Sequence, residues 1–278
     1  MSAKTSHLGP LRREAAKLRA LKRTYWGAAG LLIIPFFIAL GIYLSSHSNA
    51  GDNQSGDPTF LIKTFMNGLY VPPAALAIMS VFLFPLAAAM VGGFMIAGEA
   101  EAGTLRTMLV RPVRRGAVLL SKWATAVIYL GIVMLLVALV GLIAGWAFFG
   151  IKPMLLLGGE AGVWHALLLI VLAYLFVLAC MTCVISIALL FSTLTDSSLV
   201  AAVVTISITL VVQIVLQFSY FKGLRPYWFM NHFDGWYKLF QRPVDMKPIR
   251  DGLIAFAVYS AVPTALAYLR FRRKDITS

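Results

Sequence analysis

The sequence predicts an all-α membrane protein with six transmembrane helices. Its 278 residues are 60% hydrophobic and only 13% charged, whereas a soluble domain is close to half apolar and about a quarter charged. Six stretches lack any charged side chain, and each is about as long as the roughly 20 helical residues that cross a hydrocarbon core. They show neither the period-2 alternation of membrane-barrel strands nor the polar face of a globular helix. The stretches are Trp26–Leu44, Ala74–Ala97, Ala124–Phe149, Ala166–Phe191, Ser198–Phe218 and Gly252–Leu269.

The distribution of charge predicts which way the chain crosses the membrane. The net charge is +13, and with six spans both termini lie on one side. The segments on that side hold 16 Lys and Arg residues, against 8 on the other side. Because cationic loops stay in the cytoplasm, we expect a multi-pass protein of the cell (inner or plasma) membrane with both termini cytoplasmic. The rule leaves six outward cations unexplained: Lys222, Arg225, Lys238, Arg242, Lys247 and Arg250.

Residues 1–25 are predicted to form a cytoplasmic amphipathic helix ahead of a membrane domain that covers residues 26–278. Leu11, Leu18 and Leu21 recur at helical spacing with cations between them. Such a helix lies in the membrane interface, with Lys and Arg toward anionic headgroups. No nucleic-acid recognition module or aromatic stacking platform accompanies these charges, so we expect no nucleic-acid partner. A signal peptide is the alternative for the first span, but its apolar run exceeds the usual 7–15 residues.

The most informative segment connects the second and third stretches. Glu99 and Glu101 close an apolar helix with charges that cannot enter lipid, and Gly103 permits a sharp turn. Thr104 is a candidate N-cap for a short amphipathic helix from Leu105 to Val110. The two glutamates are alternatively solvated helix-end charges, as charge runs usually are. Their i, i+2 spacing points them apart on a helix and argues against an acid–base pair.

The remainder of this segment returns the chain to the membrane. Arg111 and Pro112 end the short helix, because the residue before proline is pushed out of the α region. Arg114, Arg115 and Lys122 are then predicted to hold the start of the third span at the cytoplasmic surface. The segment as a whole projects a short amphipathic helix beneath the membrane.

These motifs resemble those of the ABC-2 class of ABC transporter permeases. The run E-x-E-x-G-T-L, followed by R-P-x-x-R and a Lys, is typical of that class, and so is FRRKDI near the end of the chain. The basic N-terminal helix is similar to the elbow helix of the class, and the STLTDSS link is also typical. The resemblance covers essentially the whole chain. The matching positions of the first motif are Glu99, Glu101, Gly103, Thr104, Leu105, Arg111, Pro112, Arg115 and Lys122.

The resemblance implies the membrane-spanning subunit of an ATP-driven exporter. The chain has no G-x-x-x-x-G-K-[ST] loop, and the spans lack the ionisable groups that ion-coupled transporters need. The driving energy must therefore come from outside the membrane. By resemblance, two separate ATPase subunits supply it and bind the ATP and Mg, so we expect no cofactor, metal or catalytic residue on this chain. Its further partners would be membrane lipid and a second copy or a homologous permease.

The resemblance also implies where force enters. The 98–115 segment would be a coupling helix in a groove of the ATPase, and its movement would tilt helices one, two and five around a pathway at the subunit interface. The candidate coupling residues are Glu99, Glu101, Gly103, Thr104, Leu105, Arg106, Arg111, Pro112 and Arg115.

The 219–251 segment is the most aromatic part of the chain. We predict an interfacial or re-entrant helix over residues 226–241 that caps the outer end, which fits the extracellular gate of the resembled class. A plain aromatic belt at the membrane boundary is the alternative. The candidate outer-gate residues are Tyr227, Trp228, Phe233 and Trp236.

Small residues and prolines predict how the helices pack. The Gly141-x-x-x-Gly145 pair and the Gly92-Gly93 pair let helices approach closely in lipid, and Pro85 is expected to kink the second helix. Cys180 and Cys183 share one face of the fourth helix, where we expect them to pack as small apolar side chains.

Two other functional classes compete with export. The first is a force-transmitting or assembly subunit of the same fold that acts on a periplasmic or cell-wall partner and transports no solute. The second is an intramembrane enzyme, which the absence of His, Glu and Asp inside the spans disfavours.

Overall fold

The computed structural model describes residues 22–48, 67–103, 115–156, 159–215 and 227–273, with residues 218, 220, 223 and 225. Its helices are α1 (Lys22–Ser48), α2 (Val71–Val81), α3 (Leu83–Glu101), α4 (Arg115–Phe149), α5 (Val163–Leu194), α6 (Ser198–Val215) and α7 (Met246–Arg273). Two 3-10 helices, η1 (Gly68–Tyr70) and η2 (Phe229–Phe240), complete the helical part.

A short antiparallel hairpin between α4 and α5 is the element that the all-α prediction did not include. Strands β1 (Met154–Leu156) and β2 (Gly159–Ala161) pair with Leu155 opposite Glu160. Three-residue strands carry too little alternation to stand out in the sequence.

Five of the described helices, α3 to α7, are long and apolar enough to cross a membrane. The described apolar part of α1 is shorter, from Ala29 to Ser45. The first part of the second predicted span belongs to another short apolar helix, Gly68–Val81, which contains α2. These helices agree with the predicted all-α membrane class, and the count of six spans stays a prediction. Below, the inner end means the end that holds Glu101, Arg115 and Ser198, and the outer end is the opposite one.

Helix α5 forms the centre of the molecule. It packs against α3, α4, α6, α7 and η2. In its apolar 18-residue stretch 61% of the residues are buried, against 17% in the corresponding stretch of α7. Cys180 and Cys183 are fully buried in it, and the Cys183 thiol donates to the carbonyl oxygen of Phe256 at 3.4 Å. Both cysteines therefore occupy helix-packing positions.

The second predicted span is broken into α2 and α3 at Phe82. This residue has φ −136° and ψ −45°, outside helical values, and its carbonyl oxygen accepts the first bond of α3 from Leu86 at 2.9 Å. Pro85 lies in the first turn of α3, where it has no N–H and its ring would clash with the carbonyl of Val81 in a continuous helix. Proline thus causes a complete break rather than the predicted kink.

The two glycines in the middle of α3 let it touch two helices at once. A Cβ on Gly92 would lie 2.7 Å from the Cβ of Ala188 in α5. A Cβ on Gly93 would lie 3.0 Å from the backbone nitrogen of Ala202 in α6. Neither position has room for a larger side chain, which explains the close packing of α3 between α5 and α6.

At the outer end, a group of contacts that we call the outer clasp joins η1 to α4 and the hairpin. The Asn67 amide donates to the carbonyls of Lys152 at 2.8 Å and Pro153 at 3.1 Å, and its oxygen accepts from the Leu69 nitrogen at 3.2 Å. Beside it, the backbones of Gly68 and Gly145 meet where a Cβ on either residue would clash. The Gly141-x-x-x-Gly145 pair therefore serves packing within this chain.

At the inner end, Ser192 of α5 inserts its hydroxyl into the backbone of α3. Its Oγ donates to the Gly93 carbonyl at 2.6 Å and accepts from the nitrogens of Ala97 at 2.8 Å and Ile96 at 3.1 Å. Gly93 and Ala97 are the pair that an unbroken helix joins directly. This fully buried serine therefore ties the lower half of α3 to α5.

We expect Ser192→Ala to lower the free energy of unfolding by about 1–3 kcal/mol, because three buried backbone groups lose a partner. Denaturant titration of the protein in mixed micelles measures this change. Thr193→Val is the matched control, since the neighbouring Thr193 is equally buried but bonds only the Leu190 carbonyl of its own helix. Equal losses in the two variants would contradict a special role for Ser192.

Candidate functional site

The predicted coupling residues divide into a described and an undescribed part. Glu99 and Glu101 lie in the last turn of α3. Gly103 follows with φ +67°, a left-handed conformation that favours glycine. Arg115 begins α4. The predicted short helix and five candidate residues lie outside the described residues: Thr104, Leu105, Arg106, Arg111 and Pro112.

Glu99 forms an ion pair with Lys122. Its Oε1 lies 2.8 Å from the Lys122 Nζ, and the side chains are 12% and 2% exposed, respectively. The prediction that Lys122 holds α4 at the cytoplasmic surface is therefore wrong. Lys122 is the eighth residue of α4, two turns inside the helix, and at that depth it faces the end of α3 instead of water.

The position of this pair in its helices gives it an electrostatic role. The last turn of α3 presents unpaired carbonyls, so a carboxylate there is unfavourable unless a cation lies nearby. Lys122 supplies that cation, and Glu99 in turn neutralises an ammonium that has almost no contact with solvent. Each charge makes the burial of the other tolerable, and loss of one partner would take this compensation away from a buried charge.

Glu101 points to a different helix. Its Oε2 accepts from the Ser198 hydroxyl at 2.7 Å and from the Ser198 backbone nitrogen at 3.4 Å. Ser198 begins α6, where a carboxylate interacts favourably with the unpaired N–H groups of the first turn. The divergence expected from the i, i+2 spacing is confirmed: one glutamate engages α4 and the other engages α6.

We call these contacts, with the insertion of Ser192, the inner brace. They join the lower half of α3 to α4 through Glu99, to α6 through Glu101 and to α5 through Ser192. Sequence reasoning did not find the partners Lys122, Ser192 and Ser198. The one local signal was a serine at a helix start, whereas the pairing of distant helices has no signature in a single sequence.

An inner cavity of about 470 Å³ borders the brace. It is lined by α1, α3, α4 and α6, with Glu101 and Ser198 at its inner end and Gly27 on α1. Among the described residues, no atom lies within 4 Å of a Cβ built on Gly27, so none of them fills the cavity at this position. Three of the lining helices, α1, α3 and α6, belong to the first, second and fifth predicted spans, which we expect to tilt.

The aromatic outer segment forms η2 and packs into the protein. Gly235 lies against Phe176 of α5, where a Cβ would be 2.9 Å from the ring. The Tyr259 hydroxyl donates to the Tyr227 carbonyl at 2.7 Å. Tyr259 lies eight residues beyond Asp251, the last charged residue at the outer end of α7, which is about 12 Å of helix. The segment therefore packs against α5 and α7, and its re-entrant position in the membrane stays a prediction.

The four candidate outer-gate residues occupy different environments. Tyr227 is 73% exposed, whereas Phe233 and Trp236 are 8% and 1% exposed. Trp228 packs edge-on against Tyr259, with ring centroids 5.6 Å apart. Trp236 also lines an outer cavity of about 940 Å³ between η2, the hairpin and α1. Three of the four therefore fix η2 to the helices beneath it.

We expect Lys122→Met to lower the free energy of unfolding by about 3–5 kcal/mol, because it leaves the Glu99 carboxylate in a buried site without its cation. The double variant Glu99→Gln with Lys122→Met should recover most of that loss, since it removes both charges. Denaturant titration in micelles measures the free energy of unfolding of the wild type, the Lys122→Met variant and the double variant.

The matched control for this pair is Arg250→Met, which removes the ion pair of Arg250 with Asp251. That pair is exposed, with side-chain values of 71% and 39%, so its loss should cost less than about 1 kcal/mol. Additive effects of the two inner substitutions would show that Glu99 and Lys122 do not depend on each other.

The chain matches the family described as "ABC-2 family transporter protein" over residues 16–232, which is 217 of its 278 residues. A comparison with curated proteins finds no match. The match spans the first five predicted membrane passes and the predicted coupling segment. The five long apolar helices of the described residues are those of a multi-pass membrane protein. The chain therefore belongs to the ABC-2 family of transporter proteins and is a permease subunit of an ABC transporter.

Proposed function

We propose that this permease is the membrane subunit of an ATP-driven exporter, working as a pair with two ATPase subunits. It would lie in the cell membrane with both termini in the cytoplasm, which the 16 to 8 distribution of cations supports. The second permease copy is an identical chain or a homologue. ATP and Mg bind to the ATPase subunits, so the task of this chain is mechanical.

The inner brace is the observation that carries the proposal. The predicted coupling segment, residues 98–115, begins in the last turn of α3, so any displacement of that segment acts first on this turn. Because Glu99 and Glu101 bond to α4 and α6, the displacement passes to three helices together. A connector of solvated charges would move alone and transmit little force.

The break at Phe82 supplies a hinge for this movement. On the outer side of Phe82, α2 follows η1, whose Gly68 meets α4 in the outer clasp. The Tyr174 hydroxyl of α5 also donates to the Pro72 carbonyl of α2 at 3.0 Å. On the inner side of Phe82, α3 belongs to the inner brace. In this mechanism the lower part of α3 rotates about Phe82, α4 and α5 tilt with it because they run unbroken from the brace to the clasp, and the inner cavity changes its access to the cytoplasm.

Accessibility of the inner cavity tests the proposal. We expect a membrane-impermeant maleimide on the cytoplasmic side to label Gly27→Cys in the resting complex, and vanadate-trapped nucleotide to slow this labelling several-fold. Gly30→Cys is the matched control. A Cβ on Gly30 also meets none of the described atoms, but Gly30 does not line the cavity. Trapped nucleotide should therefore leave the labelling rate of Gly30→Cys unchanged. The native Cys180 and Cys183 are buried and should give little background.

The same experiment separates export from force transmission without a solute. Export requires the inner and outer cavities to change access in opposite senses, so Gly41→Cys in the outer cavity should become more reactive when Gly27→Cys becomes less so. Unchanged labelling of both cysteines during continued ATP turnover would contradict the export proposal.

A further inference from the structure

A second apolar groove lies between α4, α5 and α7 and has no part in the proposed transport mechanism. Its volume is about 820 Å³, and Leu119 and Trp123 of α4 line it on one side. The other side is α7, where Ala257, Ala261 and Ala265 follow each other at i+4 spacing. All three alanines are exposed, so the groove opens along the surface of the membrane domain.

The groove exists because α7 is held to α5 by small polar groups. Thr182 and Ser260 share a hydrogen bond at 2.7 Å, and Cys183 bonds the Phe256 carbonyl. The Trp123 wall is fixed in turn by its indole N–H, which donates to the Ser186 hydroxyl at 2.9 Å. With α7 bound to α5 in this way, the middle of α7 presents the three alanines to the groove.

The dimensions of the groove suit a lipid chain. It follows α7 from Leu253 to Tyr268, fifteen residues or about 22 Å at 1.5 Å per residue. One leaflet of a hydrocarbon core is about 15 Å thick. The groove is therefore long enough for acyl chains that enter from the inner end, and its volume lies in the range of about 300–1,000 Å³ of small-molecule sites.

The inner end of the groove lies beside cationic residues of α7. A Cβ on Gly116 would lie 2.8 Å from the Tyr268 ring, so the start of α4 and the end of α7 are adjacent there. Arg270 and Arg272 are both exposed and follow Tyr268 in the last turn of α7. Along the described parts of α4 and α7 the only acid is Asp251, at the outer end.

We propose that this groove binds an anionic phospholipid, with its acyl chains along the alanines of α7 and its phosphate at the arginines. Basic pockets between membrane helices recognise anionic headgroups in this way. A transmembrane helix from another chain would also fit small residues, but it carries no anion for the arginines to bind. The inference concerns binding alone, so its failure would leave the proposed export function untouched.

Lipid retention tests the groove. The full-length protein is placed in nanodiscs of equal phosphatidylcholine and phosphatidylglycerol, and native mass spectrometry counts the lipids that stay bound after extraction. We expect the wild type to retain phosphatidylglycerol about ten-fold over phosphatidylcholine, from the attraction of two or more surface cations. Ala261→Trp, which fills the groove, should abolish this retained lipid. Val262→Trp, on the next exposed residue of α7 but outside the groove, should not.

Charge reversal at the two ends of α7 tests the headgroup site. Arg270→Glu with Arg272→Glu should remove the preference for phosphatidylglycerol, whereas Lys247→Glu with Arg250→Glu at the outer end of the same helix should leave it intact. Three results would overturn the proposal: retention that survives Ala261→Trp, equal effects of the two charge reversals, or loss of association between chains in Ala261→Trp with lipid retention unchanged. The last would identify the occupant as a helix of a second copy.

Discussion

The structure depends on one buried ion pair at the base of α3. The Glu99 Oε1 and the Lys122 Nζ lie 2.8 Å apart, the two side chains have little exposure to solvent, and they adjoin predicted spans that carry no charge. A charge in such surroundings is stable only while its partner stays in place. The pair therefore fixes the distance between α3 and α4 more strictly than apolar packing would, and it does so beside the segment where force is proposed to enter.

The remaining contacts extend this constraint to the whole inner end. Ser192 enters the backbone of α3 from α5, and Glu101 binds the first turn of α6. Gly92 and Gly93 remove the side chains that would hold these helices apart. The outer clasp makes a second group at the opposite end. Helices α4 and α5 run unbroken between the two groups, whereas the connection through α2 and α3 is broken at Phe82. Bending of that connection is therefore localised at Phe82.

The sequence was sufficient for features that depend on composition and local pattern. Apolar length predicted the helices, Gly103 predicted the turn, and Pro85 predicted a disturbance of the second span, which breaks three residues earlier at Phe82. Features that depend on distant pairing were not accessible. Lys122 reads as one more cytoplasmic cation until the fold brings it to Glu99. The outer clasp likewise depends on Asn67, which bonds to a loop more than eighty residues away.

The most direct test of the account is whether the inner brace moves as one unit about Phe82. Spin labels at the exposed positions Ala102 and Leu155 lie at the inner brace and in the hairpin beside the outer clasp, on opposite sides of the hinge. Labels at Ala102 and Leu199 both lie at the inner brace. On vanadate trapping of nucleotide in the assembled transporter, the account predicts that the first distance, measured by pulsed electron paramagnetic resonance, changes and the second stays constant. A constant Ala102–Leu155 distance with a changing Ala102–Leu199 distance would contradict it.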